Sequence, residues 1–268
     1  MSLVASLPWY DLPEIAPATD ALWKGIARGL EGAPARLDRE TDLHLQWRSP
    51  ELLVSQSCGY DAILAHRKYL RVVATPRYIA PGCEGTRYRS LLVVRSDSPA
   101  RDLEHLRGGR CAINTHTSHS GMNALRALVA PLSRGGRFFG AVIASGTHEE
   151  SAALVARGEA DLAAIDCVTH ALLQRHRPRA LEGTRILGET APAPAPPFVT
   201  SRATPPRVLR QLRTALLEAL ADPALATARQ TLLLEGAEVL PLAAYRPIAA
   251  LERRALARGY REMELLRA

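Results

Sequence analysis

Lysine is almost missing from this chain: of its 34 basic side chains, all but Lys24 and Lys68 are arginine. Those arginines, with 27 acidic residues, leave a net charge of +7. They are scattered (Arg28, Arg36, Arg39, Arg48, Arg67, Arg71 and onward) and never form the block of like charges expected of a nucleic-acid arm. Aromatic residues are only 5%, too few to build a base-stacking surface. No apolar run is long enough to span a bilayer, so membrane insertion is not expected. The four cysteines, Cys58, Cys83, Cys111 and Cys167, show no CxxC spacing, which argues against a zinc site. A Cys58–Cys83 bridge stays open for an oxidising compartment only. The start, Met1-Ser2-Leu3-Val4, has no basic region and no cleavage site. As written the chain reads as cytoplasmic, and as periplasmic if a leader has been removed. GxSxG, HExxH, P-loop and GxGxxG motifs are all absent, and no catalytic residue, metal or cofactor is assigned.

What is present is an α/β pattern over 268 residues, 47% of them hydrophobic, enough for one or two domains without disulfide staples. Short apolar runs at Val4–Leu7, Leu91–Arg95, Cys111–Ile113, Ala141–Ala144 and Leu162–Ile165 predict strands. Helical patterns at Asn123–Val129 and Ser151–Ala156 fall between them, predicting βαβ units and parallel sheets. Ligands of such sheets sit beyond the carboxyl ends of strands. Two stretches break the alternation: Ala191–Pro197, a stiff Pro-rich segment, and the turn-rich Pro81–Gly85 leading to a strand from Tyr88. Read as crossings, they divide the chain into lobe 1 (1–90 and 190–268) and lobe 2 (91–189). From Pro205 to the end, the spacing of Val208, Leu209, Leu212, Leu216 and Leu217 predicts helix.

Three segments carry candidate chemistry. Asn114–Asn123 follows the strand ending at Ile113 and opens a helix, so Ser118, His119, Ser120 and Gly121 stand where free N–H groups and the helix dipole favour an anion. One capping serine would satisfy the helix alone; this stretch holds more hydroxyls than that. Thr147 and Glu150 have capping-box spacing, placing His148 in the first turn of a helix directly after a strand. Asp166 ends the strand Leu162–Ile165, and a carboxylate there needs a partner. Composition leaves a Ser–His–Asp triad open, yet the spacing by whole strand–helix units suits donors around one ligand better. Gln56 and Ser57, and the Arg87–Ser90 stretch with Tyr88, add polar groups at strand ends without being specific.

On Ser118-His119-Ser120-Gly121, Ser145-Gly146-Thr147-His148 and Gly158-Glu159-Ala160-Asp161, the chain resembles the phosphonate/phosphate-type substrate-binding proteins of ABC transporters. The resemblance implies a type 2 periplasmic-binding-protein-like α/β fold: two lobes, two crossing segments and a ligand cleft between. It implies that Ser118, His119 and Ser120 hold the oxyanion, with His148 from the next segment and Asp166 at the ligand's other end. Tyr10, Tyr88, Gln56 and Ser57 fall where that family carries further ligand contacts. His119 replaces the small hydroxyl residue more usual in this turn, and a protonated imidazole would there favour a dianion. The expected function is the capture of a small phosphonate, phosphate or phosphate ester, with an ABC permease as possible partner. Two other readings stay open. One is a cytoplasmic enzyme of the same fold, of the thiamine-precursor or menaquinone type; the other is a ligand-sensing module.

Overall fold

The protein is described here from a computed structural model covering residues 3–263. It divides into two compact units. Among the described residues, one takes 3–79, Cys83–Arg87 and Pro194–Tyr245; the other takes Ala80–Gly82, Tyr88–Ala193 and 246–263. The short strands Arg87–Tyr88 and Ala193–Pro194, a two-stranded sheet of their own, lie at two of the crossings.

The first unit is built on a five-stranded sheet in the order Val4–Ala5, Leu52–Gln56, Phe198–Ser201, Leu70–Tyr78, Leu234–Glu238. Only its first pair is parallel; the other three are antiparallel. Helices Ala16–Ala27, Pro206–Ala221 and Ala226–Thr231 pack together in this unit. They approach closely at two glycines: a Cβ on Gly25 would overlap Leu225 Cδ1, and one on Gly29 would meet Ala215 Cβ at 2.9 Å.

The second unit's sheet runs Ala141–Ala144, Arg110–Ile113, Leu162–Asp166, Ser90–Arg95, Thr184–Glu189. Its first three strands are parallel, the product of strand–helix–strand units, while the last two pair antiparallel. Leu162–Asp166 is buried along its whole length. Small side chains there and nearby (Ala112, Ala152, Ala160, Ala163) let the helix His148–Ala156 settle on the sheet with Val93, Val155 and Ile165.

Three expectations are corrected. The sheets are mixed rather than parallel, because strands reached through the crossings enter antiparallel. The segment after Pro205 is not helical throughout. Leu233, with φ 53°, breaks the helical run, and Leu234–Glu238 pairs with Leu70–Tyr78 instead. The C-terminal segment does not join the first lobe: helix Arg246–Ala257 packs on the helix Ala124–Val129 of the second unit. All four cysteines are thiols, so no Cys58–Cys83 bridge forms.

Candidate functional site

Because Arg110–Ile113, Ala141–Ala144 and Leu162–Asp166 are parallel, their carboxyl ends share one edge of the sheet. The residues that follow them therefore converge. Ser118 caps the helical run, accepting at Oγ from the Gly121 N–H at 3.0 Å. That run opens as a π-turn, His119–Asn123, before the α-helix Ala124–Val129, with the Asn123 N–H donating to the Ser118 carbonyl at 3.0 Å. Gly121 is demanded by packing. A Cβ there would overlap Asn114 Oδ1 and crowd His148 Cε1 at 3.2 Å. Thr147 caps the next helix, accepting from the Glu150 N–H, so the expected capping box is present at its first half and His148 begins the helix.

Ser120 Oγ lies 3.0 Å from His148 Nε2 and 3.4 Å from Ser118 Oγ. Its carbonyl is held by the Ser90 hydroxyl at 3.0 Å. Asp166 Oδ2 lies 3.3 Å from the same His148 Nε2. Asp166 also caps the helix Cys167–His176: Oδ1 accepts from the Val168 and Thr169 N–H groups, and Oδ2 from the Thr169 hydroxyl. A triad needs serine and carboxylate on opposite ring nitrogens. Here both address Nε2, so the set is not built as a proton relay.

Burial decides the histidines' charge. The His119 imidazole is pushed down to about 4, overturning the expectation of a protonated ring near neutrality. Burial also lowers His148, with the Asp166 charge opposing. Both rings are therefore neutral at pH 7, and the turn offers neutral donors. Tyr88 is buried, its ring 6.2 Å from that of His119.

The remaining predicted residues belong to the first unit. Tyr10 sits in the left-handed region (φ 66°), a conformation rare for a bulky side chain. Its ring meets Tyr78 edge-on at 5.1 Å, and Gln56 Nε2 donates to Tyr78 Oη at 3.0 Å. Tyr10, Gln56 and Tyr78, with Trp9, line a cavity of about 20 Å³. Ser57 is fully buried, and its hydroxyl donates to the Cys58 carbonyl. Sequence reasoning passed over Tyr78 and Arg126, and named the stretches holding Ser90 and Asn123 without giving either residue a role. Tyr78 had a faint signal, an aromatic closing a strand; Arg126 had none.

Among solved structures, the chain is similar to a binding-protein component of an ABC phosphonate transporter from Pseudomonas aeruginosa. The TM-score is 0.77 at 15% identity, covering 96% of this chain and 87% of that one. PhnD1 from Prochlorococcus marinus in complex with methylphosphonate gives 0.76 at 15% identity, over 96% and 98%. XAC2383 from Xanthomonas citri, solved with chloride, gives 0.72 at 19%, over 96% and 98%. At these identities the likeness establishes the two-lobed α/β fold. No curated protein matches the sequence. A family model for the periplasmic phosphonate substrate-binding protein of ABC transporters matches residues 48–245, taking in the Ser118 turn, His148 and Asp166. With three quarters of the sequence so matched on a fold of the same kind, the chain belongs to the phosphonate substrate-binding protein family of ABC transporters, a family of binding proteins rather than enzymes.

Proposed function

We propose that the protein captures a small phosphonate or related oxyanion on the Ser118–Gly121 turn and hands it to an ABC permease. The observation that carries this reading is the cluster of Ser118, Ser120 and His148, polar side chains gathered at one sheet edge beyond what helix capping requires. Ser118 is spent as the cap. Ser120 is not. The Asp166 carboxylate, whose Oδ2 stands beside His148 Nε2, can only accept, which keeps the ring proton on that nitrogen. A hydroxyl that accepts from Nε2 keeps its own proton to donate to an oxyanion. The same reading gives ligand contacts to His119, Gly121 and Tyr88, and, in the other unit, to Tyr10, Gln56 and Ser57. The family is periplasmic, and among the described residues no helix is long and apolar enough to cross a membrane.

Isothermal titration with methylphosphonate, aminoethylphosphonate, phosphite and phosphate tests the proposal. At least one should bind. Ser120→Ala should weaken that ligand by roughly 10- to 100-fold, the loss of one hydrogen bond to a charged group, with little change in melting temperature. Absence of heat with all four anions, or an unchanged affinity in Ser120→Ala, would refute it.

A further inference from the structure

Behind the Ser118–Gly121 turn runs a line of buried polar groups that helix capping does not explain. Arg126 is only 1% exposed, unlike any other arginine among the described residues. Its Nη2 lies 2.7 Å from Asn123 Oδ1. A guanidinium can only donate, so the amide atom facing it must be the carbonyl oxygen. At the other end of the amide, Nδ2 lies 3.0 Å from the Ile248 carbonyl oxygen, which can only accept. Two neighbours thus fix the amide the same way, independently. Nδ2 is also 3.2 Å from His119 Nδ1. An amide nitrogen has no lone pair to offer, so His119 Nδ1 must be the acceptor and the ring proton must sit on Nε2.

We infer that Arg126 and Asn123 are positioning residues that lock His119 in the neutral Nε2–H tautomer, making the ring edge opposite Asn123 a hydrogen-bond donor for the oxyanion. The step to the oxyanion rests on the ligand reading proposed above. The alternative tautomer would turn an Nε2 lone pair toward negative charge and repel it. Burial, which holds the ring's pKa down to about 4, keeps it from escaping by taking up a second proton. Helix Arg246–Ala257 supplies both outer constraints: the Ile248 carbonyl and the Glu252 carboxylate, 3.4 Å from Arg126. The C-terminal helix therefore sets the protonation pattern of a side chain more than a hundred residues earlier.

Long-range ¹H–¹⁵N correlation on the labelled full chain at pH 7 reads the tautomer directly. His119 should show a protonated Nε2 and an unprotonated Nδ1. Asn123→Asp, nearly isosteric, replaces the donor with an acceptor. His119 should then move its proton to Nδ1 or become imidazolium, and methylphosphonate affinity should fall by about tenfold or more. A wild-type ring protonated on Nδ1 overturns the inference whether or not methylphosphonate binds. So does an Asn123→Asp protein in which His119 stays Nε2–H. The wild-type spectrum depends on no variant folding. An Nε2–H ring in a protein that binds no oxyanion upholds the lock and sinks the functional reading instead.

Discussion

His119 shows how one side chain can matter through its proton rather than its charge. A group whose folded pKa is depressed below its unfolded value of about 6.5 binds fewer protons folded than unfolded between the two. Stability is then fully present above about pH 6.5 and is lost as pH falls toward about 4. His148 and His170, both lowered by burial, act in the same direction. The expected outcome is a melting temperature that declines through this window and levels off for the His119 share below it. His119→Asn should show a shallower decline, because it removes a contribution of up to about 3 kcal/mol. Equal slopes for the two proteins would contradict the burial account. The residue types at this site were legible in sequence: Ser118, Ser120, His148 and Asp166 do converge, because strand–helix units put them at one sheet edge. Their division of labour was not. Which serine caps, and which ring nitrogen faces the carboxylate, depends on distances of a few ångströms that spacing does not encode.

Among the elements, the C-terminal segment changes most from the sequence reading. After the helix Arg246–Ala257, Tyr260 and Glu262 stay on the second unit. Glu262 Oε2 accepts from the Phe138 and Phe139 N–H groups, each at 3.0 Å, and from the Tyr260 hydroxyl at 2.7 Å. One carboxylate thus satisfies two backbone donors of the loop before the strand Ala141–Ala144. Glu262→Ala should lower unfolding free energy by about 1–3 kcal/mol, the cost of leaving such donors unmade. Chemical denaturation measures the loss. Faster hydrogen exchange at Phe138 and Phe139 should locate it, and unchanged protection there would show that Glu262 does not hold the loop. Amphipathic spacing announced that the terminal segment would be helical but carried no address for it. The address lies in complementary groups, such as Glu252 for Arg126, that pair only once the chain has folded. Leu234–Glu238 teaches the converse. Its residues (Leu-Glu-Gly-Ala-Glu) suit a helix, and pairing with Leu70–Tyr78 overrides that preference. Pro76 inside Leu70–Tyr78 hides that strand too, since proline removes a ladder donor.

At the scale of the whole molecule, the arginine excess finds its place. Many of these side chains form exposed pairs, as Arg39 does with Asp11 and Asp20, Arg157 with Glu150 and Glu159, and Arg110 with Asp161. Such pairs contribute little to stability. What remains is a net charge of +7, whose field favours the approach of anions, while on the proposed reading the Ser118 turn itself offers hydroxyls and neutral imidazoles. Field and site respond differently to salt. Raising ionic strength toward about 1 M shrinks the Debye length to about 3 Å, so the association rate of methylphosphonate should fall. Its dissociation rate, set by short-range donors, should stay nearly constant. Stopped-flow measurement separates the two. A dissociation rate that rises steeply with salt would mean that exposed arginines, rather than the Ser118 turn, hold the ligand.

By itself the sequence determined the α/β class, the five strand positions first picked out, and the turn and helix-start chemistry at Ser118 and Thr147. These are local properties: apolar period and capping residues. Only the tertiary structure decided that the sheets are mixed, that the last helix belongs to the second unit, and that His119 is neutral with its proton on Nε2. Those outcomes depend on burial and on partners far apart in the chain, Ile248 and Glu252 against Asn123 and Arg126. A linear pattern records which groups can donate or accept, but not which ones meet.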